Sequence, residues 1–249
     1  MSSGASDISA GATWGGGAAW WGLVPAAGVG RRVGSVVPKQ YLELAGRKVI
    51  DLTLATLLDH PHVRGVVVAL DPGDALWPQT LHASHPRVWT VAGGVERCHS
   101  VRNALLGLAG RAAGDDWVLV HDAARPCLRP ADLDRLIAGL EDDPVGGILG
   151  VPVRDTMKQA GPADRIEATV PREGLWHAFT PQAFRLGLLR RALERALDAG
   201  RLVTDDASAV ELLGLHPRLI EGHGDNIKIT RAEDIPLAQF FLEQQGRLC

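Results

Sequence analysis

The sequence predicts an α/β fold, a doubly wound and mostly parallel sheet with a projecting β-arm. Three observations carry this. Strand-like apolar runs alternate with helical stripes from residue 20 to residue 151, the pattern of a parallel sheet with right-handed crossovers. Val66-Val67-Val68 lies inside one such run, and continuous β-branched residues mark a strand buried in a parallel sheet. Between 152 and 176 the helical stripe is absent, and short extended pieces flank Ala160-Gly161-Pro162-Ala163-Asp164. That reads as a β-hairpin arm, because structureless connections of this length are uncommon in compact domains. The chain divides into a disordered tail over 1–18 and a single domain over 19–249, with 152–176 as an arm that needs something to pack on, hence a dimer.

Each element has its own reason. Residues 1–18 are largely Ser, Gly and Ala, too poor in apolar side chains to order. A strand is expected over 20–25 and a hairpin around Ala45-Gly46-Arg47, followed by a helix to Asp59 with Leu54, Leu57 and Leu58 apolar. Residues 63–70 form the next strand, broken by Asp71-Pro72-Gly73. A weak helix over 74–83 and a short strand over 88–91 ending at Gly93-Gly94 come next. Val101, Leu105 and Leu108 recur on one helical face, predicting a helix over 96–109. After a strand over 117–120, Pro130 opens a helix with Leu133, Ile137 and Leu140 as its stripe, proline being favoured at a first helical position. A strand over 145–151 completes the alternation. Beyond the arm, the spacing predicts a helix over 181–197 and another N-capped by Thr204 through Leu213. Strands over 218–221 and 226–229 follow, and Thr230 with Glu233 reads as the capping box of a last helix.

Composition narrows the function. The 249 residues are 46% hydrophobic and 22% charged with a net charge of −3, an ordinary globular balance that lacks the basic face of a nucleic-acid binder. No apolar run reaches membrane-spanning length. The first thirty residues carry no Lys or Arg, so the charged start of a secretory signal is missing. Three widely spaced cysteines, Cys98, Cys127 and Cys249, make no disulfide framework and point to a reducing, cytoplasmic setting.

The stretch Pro25-Ala26-Ala27-Gly28-Val29-Gly30-Arg31-Arg32, with Pro38-Lys39 beyond it, is the first candidate site. No acidic residue stands between Asp7 and Glu43, and Arg31, Arg32 and Lys39 are the charges in that span. Small residues allow close backbone approach, successive N–H groups make an anion-binding concavity, and fixed cations suit phosphates. A tight turn with solvated charges is the plain alternative. Two standard loops fail on spacing: the third glycine of a dinucleotide fingerprint is Val33, and no G-x-x-x-x-G-K-[ST] run begins at Gly28, Gly30 or Gly34.

Four more clusters fall where strands end: Gly93-Gly94 with Arg97 and Ser100, His121-Asp122-Ala123-Ala124-Arg125-Pro126, Arg154-Asp155-Thr156-Met157-Lys158, and Asp225-Asn226-Ile227-Lys228. The carboxyl ends of strands form the ligand crevice of such sheets. Taken singly, each cluster is as consistent with turn residues and solvated charge. Together they set one carboxylate and several cations around a common rim, which suits a metal-bound triphosphate.

In this order, over nearly the whole chain from Trp21, these motifs resemble the 2-C-methyl-D-erythritol 4-phosphate cytidylyltransferase family. Gly174-Leu175-Trp176-His177, Thr180-Pro181-Gln182, Thr204-Asp205 with Ala207-Ser208-Ala209, and Thr230 extend the match. The resemblance implies a Rossmann-like nucleotidyltransferase fold and the reaction of CTP with methylerythritol phosphate to give a cytidine diphospho-sugar alcohol and pyrophosphate. It implies catalytic roles for Arg32, Lys39 and Lys228, with Arg31 less central. Ala26, Ala27, Gly28, Gly94 and Ser100 fall to the nucleotide, and Asp122 to Mg²⁺. Arg125 and Thr204 fall to the acceptor pocket. Thr156 and Arg172, on the arm, would grip the acceptor phosphate of the neighbouring subunit, making a homodimer with shared sites. Val95 and His99 depart from positions often acidic in the family, so any contact made by a side chain at Val95 is lost. The competing expectations are a cytidylyltransferase for another polyol phosphate, such as ribitol 5-phosphate, and a non-catalytic nucleotide-binding homologue. A dinucleotide oxidoreductase, disfavoured by Val33, is more distant.

Overall fold

In the structure, a computed structural model that describes residues 18–28 and 37–248, the chain is built around β1 (Trp20–Pro25). The tail over 1–17 and the loop carrying Arg31 and Arg32 lie outside the described residues. β1 pairs in parallel with β4 (Val63–Leu70) on one side and with β6 (Trp117–Val120) on the other. β5 (Val88–Ala92) extends the sheet beyond β4. On the far side come β10 (Trp176–Arg185), β7 (Gly146–Pro152) and β11 (Arg218–Glu221). Among the described residues this is a seven-stranded sheet of order β11-β7-β10-β6-β1-β4-β5, in which β10 alone runs antiparallel to its neighbours.

Both faces are covered, so the central strands are apolar on both. Trp21, Leu23, Val67, Val118 and Val120 pack against α2 (Arg97–Gly107) and α4 (Leu186–Asp198) through Val101, Leu105, Leu189 and Leu193. Trp20, Val24, Val66, Val68 and Leu119 pack against α1 (Val49–Leu58) and α3 (Pro130–Leu140) through Ile50, Leu54, Leu57, Leu133 and Leu136. Removing this apolar surface from water is the main favourable contribution to the fold. The approach of α1 is close: a Cβ at Gly22 would lie 2.9 Å from Val66 Cγ2 and 3.3 Å from Leu57 Cδ1. A third cluster, with Leu44, Val49 and Leu52 against Ala238 and Leu242 of α6 (Asp234–Gln244), ties the C-terminal helix to the first hairpin.

That hairpin is β2 (Glu43–Leu44) and β3 (Arg47–Lys48), turned by Ala45 and Gly46 at φ of 49° and 75°. Val49 opens α1. The arm is a separate two-stranded antiparallel sheet, β8 (Met157–Ala160) and β9 (Ile166–Val170), exposed along both strands except for half-buried Val170.

Five expectations are corrected. Residues 74–83 hold a single 3₁₀ turn at Trp77–Gln79 in place of a helix, because Asp74 Oδ1 accepts the N–H groups of Leu76 and Trp77 and Pro78 lacks a donor. The helix expected from 181 starts at Leu186, since 181–185 finish β10 between β6 and β7 and Phe184 is buried there as strand. The cap of α5 (Asp206–Glu211) is Asp205, whose Oδ1 accepts Ser208 N–H at 3.0 Å, and Thr204 stands exposed one residue earlier. At α6 it is Asp234, not Glu233, that accepts from Thr230. The strand expected over 226–229 is irregular backbone, although Ile229 N–H donates to Ala124 at 2.8 Å.

Candidate active site

At the carboxyl ends of β1, β5 and β6 the chain leaves the sheet in three loops that face one another. Pro25, Ala26, Ala27 and Gly28 come from the first, Gly94 to Arg97 with Ser100 from the second, and Asp122 to Ala124 from the third; Lys39, Gln40 and Lys228 complete the crevice. The first loop is held by buried Gln40, whose Nε2 donates to the Ala26 carbonyl at 2.8 Å, and by Ala26 N–H donating to Ala69 at 2.8 Å. Gly93 lies where only a glycine fits. A Cβ there would collide with the Ala27 methyl and sit 3.1 Å from both the Leu70 carbonyl and Ser100 Oγ. Ser100 Oγ in turn accepts Gly94 N–H at 3.0 Å. This wall of the crevice is therefore mostly backbone and small side chains.

Asp122 is the charged centre. Its Oδ2 lies 2.8 Å from Lys228 Nζ and 3.7 Å from Arg125 Nε, and Arg97 Nε donates to its Oδ1 at 3.1 Å. Burial opposes the charge of Asp122, but Arg97, Lys228 and Arg125 outweigh it and hold the carboxyl well below the usual carboxylate range. Arg97 reaches further, to Asp206 Oδ2 at 2.8 Å. Asp206 is 1% exposed, and burial pushes its carboxyl up while Arg97 works against that shift. Three cations thus surround two carboxylates, leaving an excess of one positive charge at the crevice floor.

The loop bearing Asp122 is fixed from every side. His121 N–H donates to Leu23 at 2.9 Å and Thr53 Oγ1 lies 3.0 Å from the Ala123 carbonyl. The loop bearing Lys228 is fixed by Asp225, whose Oδ2 accepts from Arg129 Nη2 at 2.6 Å and Gln245 Nε2 at 3.0 Å.

Of the residues singled out from sequence, Ala26, Ala27, Gly28, Lys39, Gly94, Ser100, Asp122 and Lys228 come together in this crevice. Arg125 sits behind Asp122, 9% exposed, with its guanidinium 5.0 Å from the Phe179 ring. Thr204 is exposed beside the α5 cap, and Thr156 and Arg172 are exposed on the arm and outside the crevice lining. Arg172 donates to the Arg154 carbonyl across the base of the arm. Val95 lines the crevice fully exposed. Sequence reasoning gave no role to Arg97, Asp206 or Gln40. Arg97 stands inside a motif it quoted, Gln40 follows Lys39, and Asp206 follows Asp205, so nearness to motif residues was the available signal.

Comparison with known proteins agrees with this geometry. Residues 21–244 match the family model described as 2-C-methyl-D-erythritol 4-phosphate cytidylyltransferase. Proteins of that name from Pseudomonas putida and Pseudomonas fluorescens are 55% and 54% identical over 218 residues, covering 87% of this chain and 93% of theirs. A crystal structure of 4-diphosphocytidyl-2C-methyl-D-erythritol synthase superposes with a TM-score of 0.79 at 39% identity, over 90% of this chain and 99% of the other. The Francisella tularensis 2-C-methyl-D-erythritol 4-phosphate cytidylyltransferase gives 0.78 at 35%, over 90% and 100%. With the crevice built from the same motifs that suggested it, and a match running from β1 into the last helix, the chain belongs to the 2-C-methyl-D-erythritol 4-phosphate cytidylyltransferase family.

Proposed function

We propose that the chain transfers the cytidylyl group of CTP to 2-C-methyl-D-erythritol 4-phosphate, releasing pyrophosphate, in the non-mevalonate route to isoprenoids. It is a cytidylyltransferase. The observation that carries the reading is the ionised Asp122 ringed by Arg97, Arg125 and Lys228 at the floor of a small-residue crevice.

An oxygen of the acceptor phosphate forms a bond to the α-phosphorus of CTP, and the bond from that phosphorus to the bridging oxygen of pyrophosphate breaks, its electron pair leaving with pyrophosphate. The nucleophile needs no general base, because a phosphate monoester with a second pKa of about 6 is mostly dianionic at neutral pH. Alignment and charge cancellation are what remain for the protein. Lys228 serves the α-phosphate and the incoming phosphate, and Arg32 with Lys39 serves the triphosphate and its transition state. When the ammonium of Lys228 turns from Asp122 to phosphate, Arg97 and Arg125 still balance the carboxylate. Ala26, Ala27, Gly28, Gly94 and Ser100 hold cytosine and ribose, largely through backbone groups.

A Mg²⁺ ion fits the donor chemistry here, since it binds through one or two carboxylates plus substrate phosphates and Asp122 is a deeply ionised carboxylate at the phosphate end. Bound there with CTP, it would act as a Lewis acid on the phosphate oxygens. The acceptor is held by Arg125 and Thr204 of one subunit and by Thr156 and Arg172 of a second, in a cytoplasmic homodimer. Support for that comes from the arm, where Thr156 and Arg172 flank the β8–β9 hairpin and are exposed to solvent. Among the described residues no helix is long and apolar enough to cross a membrane.

The test is pyrophosphate release from CTP by the purified protein with Mg²⁺, offered methylerythritol phosphate or ribitol 5-phosphate. Release with the first acceptor and its loss on chelation are expected. Release with ribitol phosphate alone would reassign the acceptor, and no release with either would leave a nucleotide-binding protein.

A further inference from the structure

Asp122 and Lys228 come from distant parts of the sequence, yet one buried side chain touches the supports of both. Thr180 is 5% exposed and lies in the register shift of β10, between Ala178 and Gln182, where the strand leaves its pairing with β7. A shift of this kind re-aims a side chain. The Thr180 hydroxyl oxygen accepts the Asp122 N–H at 3.1 Å and lies 2.9 Å from His121 Nδ1.

The direction of each bond follows from chemistry. His121 is fully buried and its Nε2 lies 3.1 Å from the Arg125 carbonyl, which can only accept. The ring hydrogen is therefore on Nε2, Nδ1 is left as an acceptor, and the Thr180 hydroxyl donates to it. The chain Asp122 N–H to Thr180 O–H to His121 to the Arg125 carbonyl is thus satisfied at every atom. On its other side the Thr180 carbonyl accepts Asn226 Nδ2 at 2.8 Å, and the Asn226 carbonyl accepts Arg125 Nη1 at 2.7 Å. Lys228 is two residues further on.

We propose that Thr180 is the positioning residue that sets Asp122 against Lys228, its hydroxyl, itself aimed by its bond to His121, holding the Asp122 backbone N–H directly and its carbonyl fixing the Lys228 segment through Asn226. It touches no substrate. The inference rests on the reading that Asp122 and Lys228 serve the phosphates. A valine at 180 keeps the shape but leaves a buried amide N–H and a ring nitrogen unpaired, while a serine keeps the hydroxyl.

Thr180→Val and Thr180→Ser are compared with the unmodified full chain in pyrophosphate release, and the His121 ring nitrogens are followed by ¹⁵N NMR at pH 7.5, assigned by their loss in His121→Asn. Thr180→Val is expected to lower kcat by about ten- to a hundredfold, the scale of a small misplacement at the reacting centre. Its KM for CTP stays within about threefold, and Thr180→Ser restores kcat to within about threefold of the parent. The unmodified chain shows the Nε2–H tautomer, and Thr180→Val shifts the Nδ1 resonance. A Thr180→Val kcat within twofold of the parent, a Thr180→Ser as slow as the valine variant, or an Nδ1–H tautomer in the unmodified chain would each overturn the proposal. The tautomer decides even where the valine variant does not fold. It also reports when the parent fails to turn over CTP, an outcome that sinks the functional reading separately.

Discussion

The crevice wall and the arm carry similar residue types in opposite physical states. Arg97 in the wall bridges two buried carboxylates, and Asp122 is 8% exposed with cations against both its oxygens. Thr156 and Arg172 on the arm are exposed, on or beside a hairpin whose strands pair with each other and with no strand of the main sheet. In the wall, orientation is fixed before any ligand arrives, and low dielectric strengthens each charge interaction. On the arm, orientation has to come from what the hairpin packs on. The difference teaches that one chain orders its own crevice, while Thr156 and Arg172 on the arm are left for another surface to orient.

The largest expected effect breaks the wall. Arg97→Met leaves Asp206 buried and unpaired, and removing one partner of a buried pair costs about 3 kcal/mol or more. Urea unfolding should show that loss, with part of it restored by adding Asp206→Asn, whereas Arg172→Gln on the arm should stay within about 0.5 kcal/mol of the parent. Equal losses at the two sites would erase the comparison. Next comes Lys228→Ala, which keeps the fold and removes the cation that rests on Asp122 and that the proposed mechanism turns to the reacting phosphate. A kcat lowered by a hundredfold or more is expected in the pyrophosphate assay, the scale of one transition-state donor. A drop under tenfold would place that charge elsewhere.

The third prediction sharpens the division of labour. If the arm completes a neighbour's site, a weak Arg172→Glu variant and a weak Lys228→Ala variant fail at different halves of each site. Mixed and allowed to exchange subunits, half of the dimers are heterodimers and one of their two sites is intact. Activity should then recover to about a quarter of the parent's. No recovery after exchange, shown by differently tagged subunits co-purifying, would put both residues in the same chain's site.

Much of the fold was legible because strands buried on both faces read as unbroken apolar runs: 20–25, 63–70 and 117–120 fall on β1, β4 and β6 to the residue. What local pattern misread was decided by distant partners. Phe184 has helical spacing with Leu188, but the antiparallel pairing of β10 with β6 and β7 claims it as strand. Residues 74–83 are composed like a helix, yet Asp74 spends its carboxylate on the Leu76 and Trp77 amides and the Tyr41 hydroxyl. The site residues were legible as motifs and their geometry was not. The bonds that fix them, Arg97 to Asp206 and Asn226 to Thr180, join segments 109 and 46 residues apart.

The smallest effect tests a position in the wall that behaves like the arm. Val95 lines the crevice but is 95% exposed, so its side chain is not held by packing. It stands two residues before the first turn of α2, where an aspartate would gain a little from the helix dipole, about 0.3–1 kcal/mol at an exposed site. Close to a bound triphosphate the same charge would lose a similar amount, screened by solvent. In the proposed function base and ribose are held by backbone groups that the substitution leaves in place, namely Ala26, Ala27 and Gly94, whose loops are supported by Gln40 and Ser100. Val95→Asp should therefore change the KM for CTP by less than about threefold in either direction, with kcat unchanged. A tenfold tightening would mean that a side chain at this position reads the nucleotide directly, and that the backbone account of recognition omits its principal contact.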